Sequence, residues 1–149
     1  MQNNKTGMTL IVKTITRLTV GLILLYGIYI VLHGHISPGG GFAGGVIIAL
    51  SFIHLVLAFG REVALKKLSQ LGASILESLG ALMFLLIAIL GFWGGYFFFN
   101  FFSSKGKPFA LFSAGIIPLC NIAISLKVGV GLFAIFMALV LFEGPGKEG

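Results

Sequence analysis

The chain has 149 residues, of which 58% are hydrophobic and 9% charged, with a formal charge of +6. A soluble domain carries roughly 25% charged residues, so this one lacks the polar surface to be soluble. The basic balance does not point to nucleic acid either, because it is spread over short segments between long apolar runs. A single cysteine, Cys120, excludes an intrachain disulfide and any cysteine-rich metal cluster, and its apolar neighbours suit a small packing residue.

In chain order, Leu18 to Gly60 holds no Asp, Glu, Lys or Arg. That is about twice the ~20 residues needed to cross a bilayer once. The stretch HGHISPGGGFAGG divides it into a first span over 16–33 and a second over 41–60. An uncharged run from Ser78 to Ser104 places a third span at 75–99, and an apolar stretch broken by Lys127 places a fourth at 119–142. Alternating ten-residue strands of a β-barrel are not visible. The expected fold is an all-α integral membrane protein: one membrane domain of about four helices, with 143–149 as a short mobile tail. The N-terminal run lacks a small-x-small cleavage site and is expected to remain as the first helix.

Lys and Arg set the orientation. Lys5, Lys13, Arg17, Arg61, Lys66, Lys67 and Lys147 fall on one side of four spans, against Lys105, Lys107 and Lys127 on the other. Both termini are therefore expected in the cytoplasm, with His33–Gly45 at the outer surface.

Gly39 to Gly44 reads literally as G-x-G-x-x-G, and Glu62 follows 18 residues later. A dinucleotide site needs a preceding strand, whereas a membrane-length segment precedes this one. A helix from Gly44 would also carry Glu62 ~27 Å away along its axis. A P-loop fails for want of Gly-Lys-Ser/Thr. His33 and His35 are two apart and diverge on a helix, and no Cys, Asp or Glu in the loop completes a metal shell. They are expected near the outer interface, bonded to loop carbonyls. No cofactor, metal or nucleic acid is expected to bind this chain.

The glycines suggest packing. Gly40 and Gly44 are four apart, as are Gly41 and Gly45, two overlapping small-residue ridges at the start of the second helix. Ser37 and Pro38 suit its N-cap and first residue. Gly91 and Gly95 form a further ridge in the third helix, followed by a rim of Tyr96, Phe97, Phe98, Phe99, Phe101 and Phe102 suited to the outer interface. Pro118 marks the start of the fourth helix or a kink before it, and residues 105–117 can fold back along the outer surface.

HGHISPGGGFAGGVI, lying between two membrane helices, closely resembles the signature of the B-subunit family of Mrp-type multisubunit Na⁺/H⁺ antiporters, the MnhB family. GIIPLCNIAISLKVGVGLF, residues 115 to 133, resembles the end of the same domain. The likeness covers roughly residues 10 to 142. It implies a small four-helix subunit of the cytoplasmic membrane, with other membrane subunits and the lipid bilayer as partners. The family occurs in antiporters and in Mrp-like modules of membrane-bound hydrogenases and sulfane-sulfur reductases, which move Na⁺ or H⁺. Its Lys and Glu relay lies in larger subunits, so no catalytic residue carries over. A self-sufficient four-helix exporter would place a carboxylate in its first helix, and this one has none.

Ionisable groups inside a span cost ~2.5–3.5 kcal/mol and usually mark an ion path or a partner. Glu77, sharing a face with Ser74, Ser78 and Ala81, is either a first-turn acid favoured by the helix dipole or an ion station. Lys127, ~9 Å below the outer end of its helix, either snorkels outward or pairs with another subunit, since every acidic residue is expected toward the cytoplasm. His54 shares a face with Ile47, Ser51 and Ala58. It is either a satisfied interhelical histidine, with Ser51 in reach, or a proton-relay member.

Overall fold

A computed structural model describes residues 8–60, 70–100 and 114–142. Four helices account for most of them: α1 (Leu10–His33), α2 (Gly41–Phe59), α3 (Gln70–Leu90) and α4 (Ile117–Phe142). No strand occurs among the described residues. Each helix, α3 together with the short 3-10 turn after it, is long and apolar enough to cross a membrane. Helices suit this role because every interior N–H and C=O is satisfied within its own segment.

The large apolar side chains point outward. Leu18, Leu22, Leu25, Leu82, Leu85 and Leu139 are all exposed, while the buried positions are mostly glycine, alanine, isoleucine and valine, with Phe133 and Met137. The hydrophobic effect cannot sort such a chain in lipid. Close backbone packing through small residues does so instead.

The spatial order of the helices is α1, α2, α4, α3. α2 packs on both α1 and α4, and α3 packs on α4 without extended contact to α1 or α2. α2 and α4 run parallel: Gly41 lies against Asn121, Gly45 against Ser125, and Val56 against Phe133 and Met137. Phe52 meets Phe133 edge-on, with ring centroids 5.9 Å apart. Because Met8 N–H donates to Ala58 O, the start of α1 lies at the same end as the C-terminal halves of α2 and α4.

Glycine makes each seam possible. A Cβ on Gly44 would lie 3.0 Å from Gly27 O on α1, one on Gly45 would lie 2.9 Å from Ser125 O on α4, and one on Gly80 would lie 2.9 Å from Ala123 O. Of the two expected ridges, Gly44 thus closes α1–α2 while Gly41 and Gly45 close α2–α4. All three are used within the chain.

Several boundaries differ from expectation. α1 begins at Leu10 rather than 16, so Lys13 also lies within it and Arg17 sits about two turns inside rather than at its end. The Arg17 guanidinium sits 5.4 Å from the centre of the Phe59 ring at the far end of α2, using cation–π attraction where the apolar span ends. α3 already includes Gln70 and leaves α geometry after Leu90. Gly91–Gly94 form the 3-10 turn and Gly95 is left-handed. Gly91 and Gly95 therefore do not form a ridge on α3. Gly91 instead lets the returning backbone of Phe98 and Phe99 pass close by. α4 starts at Ile117, so Pro118 occupies its first turn, where the missing N–H costs nothing. Lys5, Arg61, Lys66, Lys67, Phe101, Phe102, Lys105, Lys107, Lys147, the tail 143–149 and most of the 105–117 fold-back lie outside the described residues.

Candidate functional site

The HGHISPGGGFAGG stretch closes one helix and opens the next. His33 O accepts from Ile36 N–H and Ser37 N–H, each at 2.9 Å, and from the Ser37 hydroxyl at 3.1 Å. Ser37 therefore terminates α1 and does not cap α2, and Pro38 lies in the turn rather than in the helix. Gly39 and Gly40 carry φ values of 144° and 95°, which other residues rarely adopt. Gly40 occupies the N-cap position of α2 and supplies no side-chain cap. The acceptor comes from far along the chain, since Gly41 N–H donates to Asn121 Oδ1 at 3.2 Å. His33 donates from Nδ1 to Tyr29 O at 3.2 Å, a helix carbonyl rather than a loop one, and stacks on Tyr29 with centroids 4.1 Å apart. His35 is partly buried in the turn. Among the described residues, no three His, Cys, Asp or Glu side chains gather where they could hold a metal ion.

His54 meets α1 rather than its own helix. Its Nε2 and Thr16 Oγ1 share a hydrogen bond of 3.1 Å. Ser51, the expected partner, donates instead to Ile48 O at 2.7 Å, a hydroxyl returning its hydrogen to the preceding turn. Thr16 is 1% exposed and was hidden by the expected span boundary, which put it at the helix end. With α1 extended to Leu10, Thr16 becomes an interior residue.

Glu77 and Lys127 form one unit. Lys127 Nζ donates to Glu77 Oε1 at 3.1 Å. The expectation that Lys127 lacks an in-chain partner is overturned, for geometric reasons. α3 includes Gln70, so Glu77 lies at least ~10 Å along it and is no first-turn acid; α4 starts at Ile117, so Lys127 lies ~15 Å along it rather than ~9 Å. Antiparallel packing then brings both near mid-span. Gly80 sets the separation, because without a side chain it lets α3 rest on the backbone of Ala123 and Lys127. Ala123, at the centre of this contact, is 0% exposed. The pair remains accessible, with side-chain exposures of 51% for Lys127 and 40% for Glu77. Together with Ser78, Ala81, Leu82 and Leu85 it lines an open groove of about 410 Å³. Ser74 is exposed on the same helix but does not line that groove.

Asn121 and Thr16 escaped sequence reasoning. Asn121 did leave a signal, as the one carboxamide in the apolar run 119–142. Thr16 left none beyond a hydroxyl near a boundary.

Four apolar helices joined by glycine seams, with a mid-span ion pair and an interhelical histidine, define a multi-pass α-helical membrane protein. Residues 11–134 match the family described as a domain related to the MnhB subunit of Na⁺/H⁺ antiporter, and the chain belongs to that family. It is 47% identical to an uncharacterized protein of Methanocaldococcus jannaschii, over 74% of this chain and 44% of that protein. It is 38% identical to a putative antiporter subunit, mnhB2, of Staphylococcus aureus, over 66% of this chain and 62% of that one. Among solved structures, it resembles a chain of the membrane-bound sulfane sulfur reductase, an archaeal respiratory membrane complex, with a TM-score of 0.73 and 28% identity over 91% of this chain and 62% of that chain. The chain thus spans about half to three-fifths of the length of these relatives.

Proposed function

We propose that this protein is a small non-catalytic subunit of a multisubunit cation/proton-translocating complex of the cytoplasmic membrane, with both termini on the cytoplasmic side. Other membrane subunits and lipid are its neighbours, and Na⁺ or H⁺ is the transported ion. The observation that carries the reading is membership of the MnhB family over residues 11–134. The ion pair at mid-span supports it: Glu77 and Lys127 sit where charge is costly in lipid and useful beside a translocation path. His54, held by Thr16 across the α1–α2 seam, is the second station, with an imidazole able to accept or donate a proton.

Deleting this gene alone and measuring Na⁺- or proton-driven exchange in membrane vesicles tests the reading. Loss of exchange, restored by the wild-type gene, is expected. Normal exchange by a complex assembled without the chain would sink the proposal. A second reading, that the complex is a redox-driven respiratory pump in which this subunit is structural, is favoured by the likeness to the sulfane sulfur reductase chain. Copurification in mild detergent separates the two, since only the second brings down redox subunits.

A further inference from the structure

The Glu77–Lys127 pair lies on one flank of the α3–α4 seam, and the two flanks differ. Counting ~100° per residue from Ala123, Leu126 and Val130 fall to one side of α4, and Lys127 and Gly131 to the other. The first flank is an apolar groove of about 240 Å³, floored by Ile48, Phe52, Leu76 and Phe133, with a chemistry that matches acyl chains. The second carries a half-exposed ion pair, which acyl chains cannot solvate.

Snorkelling does not resolve this. Lys127 is ~15 Å from the nearer end of α4, well beyond the reach of its side chain to an interface. Nor is the pair internally complete. Lys127 has three N–H donors, and among the described residues only Glu77 accepts from it.

We propose that this flank is an interface for a transmembrane helix of another subunit, one that presents a neutral hydroxyl or carboxamide side chain at the level of Lys127. The proposal rests on the subunit reading above and adds which face meets the neighbour and through what chemistry. Neutrality follows from the pair itself: it carries no net charge, and a further carboxylate or ammonium would leave an uncompensated ion in the membrane interior. A hydroxyl or carboxamide accepts a remaining lysine N–H without that cost. Close approach is provided for as well. Ser78 and Ala81 line this groove and are exposed, with exposed Ser74 one turn before Ser78, and they offer little side-chain bulk against an incoming backbone.

The experiment uses the whole complex in native membranes. A photoreactive benzophenone amino acid is placed at Leu82 and, separately, at Ser78, and adducts are mapped by proteolysis and mass spectrometry. The expected adduct joins this chain to a membrane helix of a different subunit, with Ser, Thr, Asn or Gln within one turn of the crosslinked residue. Adducts with lipid alone, with a second copy of this chain, or with a helix bearing only charged or apolar residues there would overturn the proposal. In parallel, Glu77→Gln strands the Lys127 ammonium and is expected to lower recovered complex about tenfold, while the level of the chain in membranes, the control for folding, holds. The double variant Glu77→Gln/Lys127→Met removes both charges and is expected to restore most of the complex. Equal recovery of the two variants would also overturn it. A chain that copurifies with partners yet gives only lipid adducts retires this interface and leaves the subunit reading standing. A chain that copurifies with nothing retires both.

Discussion

Gly80→Ala is the sharpest probe of how α3 is held. A Cβ there would lie 2.9 Å from Ala123 O, 2.9 Å from Lys127 N and 3.3 Å from Lys127 Cβ. Two of these are backbone atoms of a continuous helix and cannot rotate aside. Restoring ordinary contact, which begins at 3.4 Å, requires α3 to retreat by about half an ångström. Overpacking of this kind costs about 1–3 kcal/mol. Alanine is also the better helix former by about 0.8–1.0 kcal/mol, which hides part of that cost. Gly21→Ala supplies the reference, because nothing lies within 4 Å of its added methyl and only the propensity gain remains. The difference between the two variants then isolates the contact, at about 1–3 kcal/mol. Since about 1 kcal/mol moves the midpoint of a domain this size by 2–4 °C, thermal unfolding in detergent is expected to place Gly80→Ala roughly 2–12 °C below Gly21→Ala. Equal shifts in the two variants would show that α3 and α4 are not in backbone contact, and the account of the ion pair would fall with that contact.

Three further expectations can be checked by the same melting assay. Thr16→Val keeps shape and removes the hydrogen bond to His54; interhelical bonds in membranes average about 0.6 kcal/mol and reach about 1.7, so a loss in that range is expected, and no loss would show that the bond contributes nothing to α1–α2 packing. Asn121→Ala removes the acceptor for Gly41 N–H and is expected to cost about 1–3 kcal/mol, whereas Asn121→Asp keeps an acceptor and is expected to lose less; the reverse order would refute the capping role. Gly40→Ala forces a side chain into a conformation with φ of 95°, at an expected cost of about 1–3 kcal/mol, and an unchanged midpoint would show that the turn is not built as described.

How much of this was legible in the sequence depends on range. The four spans follow from hydropathy alone, because their apolar runs are unmistakable and a backbone in lipid has few alternatives to helix. The close packing of Gly41, Gly44 and Gly45 was visible in their spacing, but which neighbour each faces was not, since spacing reports a ridge without its groove. The polar pairings were lost for a different reason. Thr16 with His54 and Glu77 with Lys127 are set by how far each helix extends, and charged or polar residues near a boundary make that extent hard to read. Starting α1 six residues earlier turned a helix-end threonine into an interior one, and placing Lys127 ~15 Å rather than ~9 Å along α4 turned a nominally unpartnered lysine into half of an ion pair. Ser37 shows the same limit within a short stretch: its type fits a cap of the following helix, but the glycines after it delay α2, leaving the hydroxyl to close the helix behind it.

The bond between Gly41 and Asn121 also has a consequence for how the protein is made. The donor lies in α2 and its acceptor 80 residues later, in α4. When α1 and α2 enter the bilayer as a hairpin, the Thr16–His54 bond and the Gly27–Gly44 seam can form at once, but the head of α2 has no acceptor from its own turn. It must stay where water or the insertion machinery can satisfy it until α4 arrives. The α1–α2 contacts can therefore precede the arrival of α4, whereas this cap of α2 cannot.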